Sequence, residues 1–192
     1  MTQLLVVDLC GTVVHENTTH GFLRFLEARE NEWQRRLLLC RPALALGHWI
    51  PAFHHRDRLI ACLRGLPRME LERQARRYAQ ASLERNGRDE LIARLRQVGQ
   101  DVVLASASLD VIVSAFAESL GVTQWVATDL EYDADGICLG MIRRDATGRK
   151  RQLVEHLLNR TLADHVVITD NPEDVDLMPG ARQIEFLYAS HS

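Results

Sequence analysis

Five side chains of chemically useful type stand at the ends of apolar runs or at the start of a helical pattern. Leu4-Leu5-Val6-Val7 delivers Asp8, Val102-Val103-Leu104-Ala105 delivers Ser106, and His165-Val166-Val167-Ile168 is followed by Asp170 and Asp174. Lys150 is the only lysine among 23 Lys plus Arg residues. A carboxylate at a strand tip can attack an electrophile or hold a metal, and a hydroxyl can donate to an oxyanion. A compact ammonium can bond a carboxylate as a point charge, a role in which the planar guanidinium of Arg substitutes poorly. Carboxylates brought together repel and need a cation, and hard oxygen donors without a His or Cys cluster favour Mg²⁺. Gly11 and Thr12, just after Asp8, allow a sharp turn that offers backbone N–H groups to an anion.

These groups converge only if the elements behind them share one edge. The apolar runs before Asp8, Ser106 and Asp170 read as strands covered on both faces, the pattern of a parallel sheet. Helical patterns alternate with them. Asp89 opens a helix carrying Leu91, Ile92, Leu95 and Val98 that Gly99 closes; Val111, Ile112, Ala115, Phe116 and Leu120 form another, stopped by Gly121; a third runs from about Arg151 to Asn159. Trp125 to Thr128 reads as a short strand, Asp133-Ala134-Asp135-Gly136 as a hairpin turn, and Gln183 to Tyr188 as the last strand. The expected fold is α/β, a Rossmann-like three-layer parallel sheet whose ligands bind beyond the carboxyl ends of the strands.

Residues 15–86 break that alternation. Phe22, Phe25 and Leu26 begin a helical stripe that Trp33 and Leu37 continue, and Leu59, Ile60, Leu63 and the stretch from Met69 to Leu83 follow, ended by Asn86-Gly87. Without a clear strand and too long for a loop, this segment reads as a small inserted helical cap on a core made of 1–14 and 87–192. Between His20 and Gln100 there are 16 Arg and 9 acidic residues, a charge of +7 against −10 elsewhere. Such asymmetry suits a cleft that draws in a small anionic substrate. Arg24, Arg35, Arg36, Arg56 and Arg58 are the candidates for binding further anionic groups. An acidic core argues against a nucleic-acid binder.

Hydrophobic content of 46% and charged content of 26% are those of an ordinary globular chain. The four cysteines, Cys10, Cys40, Cys62 and Cys138, have neither zinc-site nor disulfide-framework spacing and fit a reducing, cytoplasmic setting. There is no secretion signal and no stretch near the roughly 18 apolar residues of a membrane span. The apolar run from Leu37 to Phe53, with Trp49, could touch a lipid surface, but Pro42, Gly47 and Pro51 interrupt it and cap core is the simpler reading.

In this order, the signals resemble the haloacid dehalogenase superfamily across nearly the whole chain. Its first motif, D-x-D-x-T after an apolar run, is met by Asp8 and Thr12; Ser106 matches the second, Lys150 the third, and Asp170 with Asp174 the fourth. An insertion between the first two motifs is where a helical cap sits in the first subclass, and the run around Ser106 is similar to the phosphoserine-phosphatase-like branch. The resemblance implies an Mg²⁺-dependent hydrolase in which Asp8 attacks phosphorus to form an aspartyl-phosphate. Ser106, Ala107, Gly11, Thr12 and Asn171 would bind the phosphoryl group, and Lys150 would neutralise it. Asp8, Asp170, Asp174 and the main-chain carbonyl of Cys10 would hold the metal.

Cys10 departs from the motif, standing where phosphatases of the family have the acid that protonates the leaving alcohol and then activates water. A thiol with an ordinary pKa near 8.5 substitutes poorly. Three readings remain open: phosphoryl transfer from substrates with good leaving groups, non-phosphatase chemistry of the dehalogenase kind, and phosphate binding with impaired turnover. Asn17, at the position where phosphoserine phosphatases carry a Glu for the substrate amine, speaks against phosphoserine. A receiver-like domain also gathers Asp, Ser or Thr and Lys on a parallel sheet, but the long insertion and the spacing after Asp8 disagree with it.

Overall fold

The structure is a computed structural model that describes residues 3–27, 52–97, 101–172 and 174–187. Six strands form one sheet in the order β4-β3-β2-β1-β5-β6: β1 (Leu4–Val7), β2 (Asp101–Leu109), β3 (Gln124–Tyr132), β4 (Cys138–Arg144), β5 (His165–Thr169) and β6 (Ala181–Phe186). Every neighbouring pair is parallel except β3 and β4, which close an antiparallel hairpin through 133–136. β1 lies between β2 and β5, with Val7 opposite both Leu104 and Ile168. Asp8 follows β1 and Asp170 follows β5, while Ser106, expected at a strand end, lies inside β2, which runs on to Leu109; it stands just past the last β1–β2 pair, Val7 with Leu104, so the three are adjacent on the expected edge.

The apolar runs are continuous because each face of β1 has its own core. Leu5 and Val7 belong to one buried cluster, and Leu4 and Val6 belong to another with Val103, Ala105, Val167, Leu153 and Val154. Alternate side chains of a strand point to opposite faces, so a strand covered on both sides has no polar positions to spare. The covering helices are α1 (Thr18–Glu27), α2 (Ala52–Ala61), α3 (Arg68–Asn86), α4 (Asp89–Leu95), α5 (Asp110–Leu120) and α6 (Lys150–Leu158). Gly121 ends α5 in a left-handed conformation at φ 72° that a Cβ would resist.

The described helices within residues 15–86 share the larger core. Phe22, Leu26, Leu71 and Tyr78 join the same buried cluster as Leu5 and Phe116. The Tyr78 ring packs 5.7 Å from Phe22, 5.6 Å from Phe25 and 5.9 Å from Phe116, tying α1 and α3 to α5.

Several boundaries differ from the sequence expectation. β3 runs on to Tyr132 because it continues into the hairpin with β4, and β6 is Ala181–Phe186. Asp89 sits in the first turn of α4 while Arg88 occupies the N-cap, and Lys150 itself opens α6. Trp33, Arg35, Arg36, Cys40, Trp49, Gly99, Tyr188 and the apolar run from Leu37 lie outside the described residues. Among the described residues no helix is long and apolar enough to cross a membrane.

Candidate active site

β1 ends by donating the Asp8 N–H to the Ile168 carbonyl (2.9 Å), which delivers the Asp8 carboxyl to the sheet edge. Lys150 reaches it from the first position of α6. Side chains of a helix lean toward its N-terminus, so a lysine there projects beyond the helix onto the strand tips. Its Nζ donates to Asp8 Oδ1 at 2.7 Å and to Asp174 Oδ1 at 2.6 Å, and all three side chains are about 5% exposed. Asp174 Oδ2 accepts from Thr169 Oγ1 (2.8 Å), so both of its oxygens are engaged.

Thr12 couples the other pair of acids. Its hydroxyl accepts from the Asp170 N–H at 2.9 Å and lies 2.9 Å from Asp170 Oδ1 and 3.3 Å from Asp8 Oδ2. With one proton to give, it serves one carboxylate at a time. A Cβ on Gly11 would come within 2.0 Å of Asp170 Oδ2, and φ there is +74°. No other residue fits that turn without moving Asp170.

Ser106 is buried at a register shift in β2 and its Oγ accepts from the Ser108 N–H (3.2 Å). Cys10 Sγ is 2.9 Å from Thr18 Oγ1 and 3.9 Å from Ser106 Oγ; Thr18 Oγ1 is 2.7 Å from Ser108 Oγ, which is 3.0 Å from Thr19 Oγ1. A buried chain of hydroxyls thus joins the thiol to the start of α1.

The charges do not balance. Burial pushes Asp8 up to about 6; Lys150 opposes this, while Asp174 and Asp170 add to it. Burial pulls Lys150 down, but Asp8 and Asp174 outweigh it and its pKa rises above the ordinary lysine value. The Cys10 thiol is pushed up by burial and by the Asp8 charge, so it is neutral at physiological pH. Among the described residues no three His, Cys, Asp or Glu side chains surround one point. Asp8 and Asp170 nevertheless line one cleft with hard oxygens, and three acids face a single ammonium. That donor chemistry and negative excess fit a divalent cation that keeps several waters.

The cleft has a volume of about 730 Å³ and is lined by Asp8, Cys10, Gly11, Ser106, Ala107, Lys150, Asp170 and Asn171. Thr12 and Asp174 are not part of its lining; both are buried beside it. His15 and Glu16 line it too and were not singled out from the sequence, while Asn17 was. Glu16 is a cleft carboxylate that accepts a short hydrogen bond from buried Ser82. Its only sequence signal is its place beside Asn17. Arg56 is not a cleft residue: it pairs with Asp145 at 2.9 Å and donates to the Ala107 carbonyl and Thr128 Oγ1, each at 2.8 Å. Arg24 lines a separate cavity with Phe25 and Tyr78.

A sheet with an aspartate, a serine, a lysine and an acidic pair at one edge defines a class, and the comparisons agree with it. The family model of haloacid dehalogenase-like hydrolases matches residues 5–179, and the chain belongs to that family. A protein of unknown function from Bordetella pertussis Tohama I has a similar structure, with a TM-score of 0.73 at 20% identity over 96% of this chain and 90% of that one. A substrate-bound phosphoserine phosphatase follows the same fold, with a TM-score of 0.58 at 19% identity over 99% and 88%. Cytosolic 5'-nucleotidase IIIB bound to cytidine does so with 0.57 at 19% over 95% and 71%. No curated protein matches by sequence.

Proposed function

We propose that this hydrolase transfers phosphoryl groups through Asp8, and the observation that carries the reading is Lys150 bridging Asp8 Oδ1 and Asp174 Oδ1. An ammonium pinned between two buried carboxylates fixes the attacking group and brings positive charge to the place where phosphoryl oxygens gain negative charge. With a pKa of about 6, Asp8 is mostly ionised at neutral pH and can act as nucleophile. An Asp8 oxygen forms a bond to phosphorus as the bond to the leaving oxygen breaks, and water then cleaves the aspartyl-phosphate to phosphate and free Asp8. Ser106, Ala107, Asn171 and the Gly11 and Thr12 backbone would bind the phosphoryl oxygens. Asp8, Asp170 and the Cys10 carbonyl would hold Mg²⁺, with Asp174 reaching it through water; when bound, the ion offsets phosphoryl charge.

Cys10 sets the substrate range. A thiol held neutral by a raised pKa is a weak general acid and cannot then act as the base that activates water, so aryl phosphates, acyl phosphates or pyrophosphates are favoured over alkyl monoesters. The same residue favours a second reading, a protein that binds phosphate without turning it over. Dehalogenase chemistry is less favoured, because it leaves the cleft carboxylate of Asp170 without a task. In this reading 1–14 and 87–192 form the catalytic core and 15–86 its helical cap. The spacing of the four cysteines, which has no disulfide-framework pattern, is the ground for proposing a reducing, cytoplasmic setting.

The test is phosphate release from an aryl phosphate and an acyl phosphate, with and without Mg²⁺. Wild type should turn over both with metal, and Asp8→Asn should lose about 10³-fold or more. Turnover that survives in Asp8→Asn would remove Asp8 as the nucleophile.

A further inference from the structure

Helix α6 has no cap of its own: Arg149 stands at its N-cap position without a side-chain hydrogen bond. The missing acceptor comes from another part of the chain. Asp176 Oδ2 accepts the Arg151 backbone N–H at 3.0 Å, one residue beyond Lys150. Among the described residues Asp176 Oδ1, buried, has no hydrogen-bond partner, so the bond to the Arg151 N–H is the one this carboxyl makes there. Arg151 returns the contact, its guanidinium donating to the Pro179 carbonyl and, at 2.7 Å, to the Leu162 carbonyl. Together with the 2.6 Å bond from Lys150 to Asp174, three ties join the first two residues of α6 to residues 174–179. Behind that segment, buried His165 Nε2 donates to the Leu177 carbonyl at 2.9 Å and anchors it to the start of β5.

We propose that Asp176, braced by Arg151, is a positioning residue that sets the reach of Lys150 to Asp8. The functional part rests on the phosphoryl-transfer reading; the structural part does not. A lysine side chain has several rotatable bonds, and its ammonium meets both carboxylates only if the first turn of α6 stays at a fixed distance from the sheet edge. A hydrogen bond to the next backbone N–H holds that turn directly, whereas contacts farther along α6 leave it free to fray. Misplacing a catalytic group by about 1 Å can cost up to about 10² in rate.

Lys150 is the chain's only lysine, so protein labelled with ¹³Cε,¹⁵Nζ-lysine gives one side-chain resonance that reports its surroundings without any activity assay. Asp176→Ala should move that resonance and lower kcat for an aryl phosphate about tenfold, with KM within about twofold. Asp176→Asn, which keeps an acceptor oxygen in place, should restore both. An unmoved resonance in folded Asp176→Ala, or a fall in kcat without such a move, overturns the proposal. If Asp176→Ala does not fold, Arg151→Gln carries the test: a smaller move in the resonance is expected, and none would overturn it. If wild type shows no Asp8-dependent turnover, the function reading fails, while the resonance still decides whether Asp176 positions Lys150.

Discussion

Lys150 and Arg56 each bridge distant parts of this chain, and their surroundings differ. Lys150 sits about 5% exposed between two equally buried carboxylates, with a third acid, Asp170, close enough to raise Asp8. Arg56 links α2 to Asp145, Ala107 and Thr128 with side chains 28% and 35% exposed at its ion pair, and one carboxylate answers one guanidinium. Burial raises the Asp145 pKa, but hydrogen bonds from Thr147 and Arg56 overcome this and hold it below the ordinary carboxylate range. Asp8 stays above that range despite its lysine. The Arg56 junction is balanced and acts as a fastener. The Lys150 junction keeps surplus negative charge in a dry place, which costs stability and, in the proposed phosphoryl-transfer reading, would be offset by a cation and serve phosphoryl binding.

The widest test of that contrast replaces each cation by Met. Lys150→Met leaves Asp8 and Asp174 buried without a counter-charge and should cost about 3–5 kcal/mol by urea denaturation at pH 7.5, with kcat down by about 10² or more. Arg56→Met should cost about 1 kcal/mol and leave kcat within about threefold, because water reaches Asp145. Equal losses in both variants would erase the distinction.

Cys10→Asp sharpens the comparison from the chemical side. An acid beside Asp8 should raise alkyl phosphate hydrolysis by about 10²-fold and aryl phosphate hydrolysis by less. A folded, Mg²⁺-binding variant with no gain on the alkyl substrate would show that the thiol is not what limits turnover.

Asp110, buried at the start of α5 with no ion pair among the described residues, provides the smallest effect. Burial pushes it up to about 6, against hydrogen bonds from the Val111 and Leu130 N–H groups. With its folded pKa above the ordinary 3.8, the folded state holds the proton more tightly, and stability falls as pH rises from about 4 to 6. Asp110→Asn should therefore stabilise by about 1–2 kcal/mol at pH 7.5 and by almost nothing near pH 3.5. An equal gain at both pH values would mean that Asp110 does not titrate in that window.

The strands β1, β2 and β5 were legible by their apolar runs, because a strand buried on both faces leaves few polar positions, and Asp8 and Asp170 were legible as the acids just past β1 and β5; Ser106 was legible as the end of an apolar run, although β2 continues through it to Leu109. Lys150 stood out through its singularity in an arginine-rich chain. The orientation of Asp174 was not readable, since one carboxylate can face a cleft or a lysine with the same sequence signature. Arg56 looked like an anion binder by charge alone, and its fastener role depends on Ala107, Thr128 and Asp145, all far along the chain. The cleft position of Glu16 likewise depends on α3 supplying Ser82 beneath it.

Sequence by itself determined the mostly parallel sheet, the edge that carries the candidate site and the residue types gathered there, because apolar periodicity and the polar groups that end an apolar run are local properties. Only the tertiary structure decided which carboxylate Lys150 shares with Asp8, what caps α6, and that the described helices of residues 15–86 bury their apolar faces in the same core as the sheet. Those outcomes depend on side chains meeting across tens of residues. Periodicity shows that a face must be buried, and the packed chain decides against what.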